Sequence, residues 1–215
     1  MILHKGKISV VTIFFTLFGI IWCGNINNTA CAEKSISASG KINIAACGIG
    51  YKWFRNISSS SNSNKYKAPG LNDGNKTIDT DLTSSGQDDV ENAYESAGII
   101  WTTSQMGISK VKFTNGSFDR GCSGVFTNDL KMQVSYDGTT WADSGWTYYP
   151  QYNYDSKSAA RKTYTFTGGI LNNIVGLRIT GQVHTHGQFS YHVHVAEVEV
   201  FGTGKMTIKA PTHEN

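Results

Sequence analysis

The sequence predicts an all-β protein, a sandwich or barrel of short antiparallel strands. Three observations carry this. Apolar and polar residues alternate with period two through most of the second half, the pattern of strands buried on one face only. The pairs Asn115-Gly116, Asp137-Gly138 and Gly168-Gly169 punctuate the alternation as turns. Convincing 3.6-residue periodicity is missing, apart from a short helical stretch expected around 89–96.

At the N-terminus, Lys5 and Lys7 precede an apolar run from Ile8 to Trp22, and Ala30-Cys31-Ala32 offers a small-x-small cleavage pattern. The run falls short of the roughly 20 residues that a bilayer span takes. A secretory signal peptide over residues 1–32 is therefore expected, and with it an extracellular location; an uncleaved anchor is the other reading. Cleavage leaves 183 residues (215 minus 32), enough for one domain with a sizeable core. It removes Cys23 and Cys31 and leaves Cys47 and Cys122. In an oxidising compartment these two either pair or stay as buried thiols. Residues 33–42 read as a linker, 43–202 as the domain and 203–215 as a polar tail.

The formal charge of +3 falls to +1 once Lys5 and Lys7 leave. No broad basic field remains to hold nucleic acid. Acidic residues concentrate between Ala68 and Gly98, where Asp73, Asp79, Asp81, Asp88, Asp89, Glu91 and Glu95 face Lys76 alone; such a run is a solvated loop or a cation site. The Ser-rich stretch 58–64 is short and flanked by Trp53 and Tyr66, so it reads as a long surface loop inside one domain. Further on, Val111 and Phe113 alternate with Lys110 and Lys112. Leu130, Met132 and Val134 alternate with Lys131, Gln133 and Ser135, Tyr164 and Phe166 sit between threonines, and Val175, Leu177 and Ile179 skip Gly176 and Arg178. Each run is a half-buried strand. The last run, 190–202, is polar for a strand: it carries His192, His194, Glu197 and Glu199 before stopping at Gly202.

Several segments, in order, resemble one family. They are Asn43-Ile44-Ala45, the loop Leu71-Asn72-Asp73-Gly74-Asn75, the stretch 130–141 with Ser135-Tyr136-Asp137-Gly138-Thr139-Thr140-Trp141, Gly176-Leu177-Arg178-Ile179, and Ala196–Gly202. Together these resemble the F5/8 type C (discoidin) domains and the overlapping galactose-binding-like family 32 carbohydrate-binding modules, over roughly residues 43–202. The resemblance implies a galactose-binding-like jelly-roll β-sandwich of about eight antiparallel strands. It also implies a structural calcium ion held by hard oxygen ligands from two remote segments. Carried over position by position, Asp73 and Glu197 supply carboxylates and Asn75 a side-chain oxygen. Ala196 and Asn72 supply backbone carbonyls, and Thr77 stands in for a hydroxyl that the family places one residue later, where this chain has Ile78. The Trp that often follows this loop is absent; an acidic insertion to Gly98 takes its place, with Trp101 beyond. The residues by themselves also allow Asp73 to form a simple Asx turn and Glu197 to be solvated.

A glycan needs an aromatic face for stacking and a few donors and acceptors for its hydroxyls. Three segments offer both: 51–56 with Trp53 and Arg55, 146–154 with Trp146, Tyr148 and Tyr149, and 182–188 with His184 and His186. Tyr191 joins them as a candidate from the start of the last run. The pairs His184-x-His186 and His192-x-His194 lie on one face each if extended, which leaves three readings open: a zinc or copper site, sugar hydrogen bonding, or packing under the end of the sandwich. The function expected is a secreted, non-catalytic, lectin-like module that binds cell-surface or polymeric glycan. A protein- or phospholipid-binding adhesion domain of discoidin type is the alternative; membrane contact is not expected, because the loop rings are mostly Tyr and Trp between amides. A glycan-active enzyme is a third reading, since Asp88/Asp89 or Glu197/Glu199 supply paired carboxylates, but nothing positions an acid against a nucleophile. Catalytic residues are accordingly not assigned.

Overall fold

The computed structural model describes residues 41–82, 93–116, 125–126, 130–152, 161–184 and 193–203. The expected signal peptide, nearly all of the linker and the tail lie outside them. So does Cys122; Cys47 is disulfide-bonded.

Thirteen strands are formed among the described residues: β1 (Ile42–Asn43), β2 (Ile49–Asn56), β3 (Lys65–Lys67), β4 (Thr80–Asp81), β5 (Tyr94–Gln105), β6 (Lys110–Asn115), β7 (Val125–Phe126), β8 (Lys131–Ser135), β9 (Ala142–Asp143), β10 (Thr147–Tyr149), β11 (Thr163–Thr167), β12 (Ile174–His184) and β13 (His194–Gly202). All pairings are antiparallel. One sheet runs β1-β13-β6-β11-β10 with β4 also on β13; the other runs β3-β2-β5-β12-β8-β9 with β7 also on β12. The alternation in sequence explains the layering. Val111, Phe113 and Phe166 of the first sheet meet Ile99, Leu177 and Ile179 of the second in one buried cluster, while the residues between them face outward. Each such side chain contributes about 1.5–3 kcal/mol by leaving water. The result is a jelly-roll sandwich, as the family resemblance implies.

Three local expectations are revised. Ile42, assigned to the linker, is strand and pairs with Gly202. The opening strand is only two residues long, and Ala45–Cys47 forms a 3-10 turn, closed where the Gly48 amide donates to the Ala45 carbonyl at 2.9 Å. The helix expected around 89–96 is not formed over its last residues: Tyr94, Glu95 and Ser96 are strand, paired with Gln182, Gly181 and Thr180. Ladder pairing on both sides outweighs local propensity there.

The Ser-rich loop is not a loose connector. It folds back over the outer face of the seven-stranded sheet. Asn62 Oδ1 accepts from the indoles of both Trp53 (3.0 Å) and Trp141 (3.2 Å). The Ser59 and Ser61 carbonyls accept from the Arg178 guanidinium at 2.5 and 3.1 Å. Arg178 is fully buried, stacked 5.1 Å from the Trp53 ring and 4.3 Å from that of Trp141. Its Nε donates to Gln133 Oε1 at 2.9 Å, and Gln133 Nε2 donates in turn to Asp143 at 3.1 Å. The carboxylate is thus relayed to the buried cation through one amide. Burial pulls Arg178 down to about 9, so it stays charged at neutral pH.

Candidate functional site

The first site lies on the open edge of β13. That edge is paired by β4 at His194 and Val195 and by β1 at Phe201 and Gly202. In between, the loop that follows the 3-10 turn Pro69–Leu71 closes over it. Gly74, in the left-handed region (φ 83°) where a glycine fits best, turns its amide onto the Glu197 carboxylate, 3.2 Å from each oxygen. A bulge in the pairing with β6, between Val195 and Glu197, makes Ala196 the extra residue. Glu197 is fully buried. Burial pushes its carboxyl up to about 7; the Gly74 amide works against this, while the charges of Asp73 and Glu199 add to it. Lys76 is the nearby cation, 2.5 Å from Glu199.

The loop that carries Asn72, Asp73, Asn75 and Thr77 thus meets β13 at Glu197, through Gly74. Asp73 Oδ1 accepts the Asn75 amide at 2.7 Å, and Asn75 Oδ1 accepts both the amide (3.0 Å) and the hydroxyl (2.6 Å) of Thr77. Asn72 spends its side-chain amide on the Ala45 and Gly48 carbonyls at 2.7 and 3.0 Å, which anchors the loop to the 3-10 turn. The donor set fits a hard cation: oxygens only, with the Asp73 charge near enough to push the Glu197 carboxyl up. Among the described residues no three His, Cys, Asp or Glu side chains gather as a metal cluster.

The aromatic candidates do not gather as expected. Trp53 is fully buried and faces the Ser-rich loop and Trp141, so it has no face left for a ligand; it is a packing residue. Tyr148 is half-buried against the core, 5.0 Å from the Phe166 ring, and its hydroxyl accepts from Gln151 at 3.3 Å. Tyr149, next in the strand, points the opposite way and is 79% exposed, the largest exposure among the described aromatic candidates. Trp146 is half-buried and its indole donates to the Gly169 carbonyl at 3.0 Å. This places it beside the start of β12, whereas His184 ends that strand. Eleven residues of strand separate the two by roughly 30 Å. Trp146 and His184 thus sit at opposite ends of the sandwich and do not share a pocket. For Arg55 and His184 only the backbone is described, and His186, Tyr191 and His192 lie outside the described residues, as does the four-imidazole reading that needs them.

The outer face of the six-stranded sheet was not singled out from the sequence. Strand register sets Tyr149, Thr165, Lys112 and Glu199 side by side in one row. The next row along holds Thr147 against Thr167 and Lys110 against Phe201. Lys110 and Lys112 both lie over the Phe201 ring, at 4.4 and 5.6 Å. The signal was present in the alternation: the residues between Val111, Phe113, Phe166 and Val200 are these.

Overall likeness to solved structures is modest. The chain is similar to the module CpGH89CBM32-6 of Clostridium perfringens at 15% identity, covering 75% of this chain and 99% of that one, with a TM-score of 0.43. It is similar to CpGH89CBM32-5 of the same organism, solved with GalNAc-β-1,3-galactose, at 13% identity over 76% and 96% of the two chains, TM-score 0.45. A chitosan-binding module from a chitosanase/glucanase of Paenibacillus sp. IK-5 is 20% identical over 75% and 99%, TM-score 0.43. No family model and no curated protein matches the chain.

Proposed function

We propose that this protein is a secreted, non-catalytic carbohydrate-binding module whose sandwich is stabilised by calcium. The observation that supports it best is the meeting of the Asn72–Thr77 loop with Ala196 and Glu197, two segments over a hundred positions apart in sequence that the resemblance couples through a cation. In this reading Asp73 and Glu197 give carboxylate oxygens, Asn75 and Thr77 side-chain oxygens, and Asn72 and Ala196 backbone carbonyls. The ion supplies the positive charge that a buried Glu197 beside Asp73 and Glu199 lacks, with Lys76 as partial compensation. It closes the gap in the edge of β13 and so holds the sheet that carries Tyr149.

The test is affinity electrophoresis of the purified mature chain through gels containing soluble polysaccharides, with and without a calcium chelator. Retardation by at least one glycan, with the glycan recovered uncleaved, is expected. Free migration through every gel, or cleavage of the glycan, overturns the reading.

A further inference from the structure

We propose that the outer face of the six-stranded sheet, centred on Tyr149, Lys112 and Lys110, is the ligand surface of this module, and that its ligand is a linear anionic polysaccharide. This rests on the carbohydrate-binding reading above and deepens it.

The face is built by strand geometry. With neighbouring strands about 4.8 Å apart, Tyr149 and Lys112 stand about 10 Å from each other across β11, and Lys110 lies about 7 Å further along β6. The hydroxyls of Thr165 and Thr167 line the space between. A ring, two cations and hydroxyls thus spread over about 12 Å, longer than a single sugar ring, on strands that the core holds rigid. This is a platform for an extended chain rather than for a single end group.

Charge selects the anion. Lys110 and Lys112 project from the same side of one strand and make no salt bridge among the described residues. The carboxylate opposite Lys112, Glu199, is engaged by Lys76 at 2.5 Å. Two ammonium groups share one ring, Phe201, whose quadrupole attracts cations but cannot neutralise them. The two rows that hold Lys110 and Lys112 therefore carry net positive charge, with Glu197 one row beyond, opposite Thr114 and under the Asp73 loop, on a chain whose mature net charge is only +1, from +3 less Lys5 and Lys7. A polyanion bridging the two lysines removes their mutual repulsion. The exposed ring of Tyr149 then stacks on the apolar face of a sugar, which makes the recognition more than ion pairing.

Affinity gels containing polygalacturonate, dextran sulfate or neutral dextran separate carboxylate from sulfate recognition and both from uncharged sugar. Wild type and the variants Lys110→Gln/Lys112→Gln and Tyr149→Ala are run beside one another, with melting temperatures measured as a folding control. The expected result is retardation by at least one polyanion and none by dextran, with each variant losing about tenfold in affinity at unchanged melting temperature. Retardation by a polyanion that either variant retains in full overturns the proposal; if only Tyr149→Ala retains it, the face is a plain anion exchanger. Binding confined to neutral glycans and untouched by the lysine variant also overturns it, yet leaves the carbohydrate-binding module standing. No glycan bound at all ends both.

Discussion

The two oxygens of Glu197 are each 3.2 Å from the amide nitrogen of Gly74. This contact, with the Lys76–Glu199 ion pair, joins the Asp73 loop to the last strand, where the charges of Asp73 and Glu199 both act on Glu197. A buried carboxylate held by a single amide beside two like charges is undersupplied with positive charge. The predictions for this edge follow from that deficit.

Calcium should raise the melting temperature. A native-only ligand at a hundred times its dissociation constant adds about 2.7 kcal/mol, and each kcal/mol is worth about 2–4 °C in a domain of this size. A rise of about 5–10 °C is therefore expected in differential scanning fluorimetry, and Glu197→Gln should abolish it. An equal rise in the variant would show that the ion binds elsewhere.

In chelator, stability should fall as pH rises from about 5 to 7. Glu197 has its folded pKa raised from an ordinary 4.5 to about 7, mainly by burial. Between those values the folded state holds the proton more firmly than the unfolded chain does, so raising the pH removes stability. Below that window the sign reverses, because Asp137 is held well under the usual carboxylate range by the side-chain hydroxyl and amide of Thr140 and the amide of Thr139. Urea midpoints at pH 5 and 7.5 check this. Glu197→Gln should flatten the slope, and saturating calcium should flatten it too.

The loop latch should be costly to break. In Asn62→Ala the Trp53 and Trp141 indoles lose their shared acceptor, at about 1–3 kcal/mol for each donor left buried without a partner. Arg178→Lys replaces a planar fork with a point charge, losing the split contact to Ser59 and Ser61 together with the stacking on both indoles. Urea unfolding should show at least 2 kcal/mol lost in each, and amide exchange in residues 57–64 should quicken well before global unfolding. Ser58→Ala, whose hydroxyl meets only that of Ser60, should be nearly neutral.

Gly98→Ala should be severe. A Cβ there would lie 2.2 Å from the Leu177 carbonyl oxygen and 2.6 Å from the Arg178 Cα, so backbone in β12 must move. Overpacking against backbone costs about 1–3 kcal/mol or more, and the midpoint in urea should fall accordingly.

The strands were legible because each has one buried face, and alternation records that directly: Val111 and Phe113, Tyr164 and Phe166, Leu177 and Ile179 all point into the core. The coupling of Asp73 to Glu197 was legible only through an ordered resemblance, since no local pattern links residues 124 positions apart. What sequence could not reveal was the side of the sheet and the end of the sandwich. Trp53 and Trp141 lie outside the main core, yet a Ser-rich loop buries Trp53 completely, because Arg178 and Asn62 clamp that loop down. Tyr148 and Tyr149 looked equivalent as members of an aromatic run, but pairing of β10 with β11 sends one inward and the other out. Trp146 and His184 were both candidates for one ligand, and β12 sets them at its two ends.

The most direct test of the central claim is a glycan array probed with the mature chain in calcium and in chelator. The account predicts binding to a defined glycan class in calcium, weakened in chelator as the β13 edge loses its ion. Absence of binding to every glycan in both conditions would contradict it.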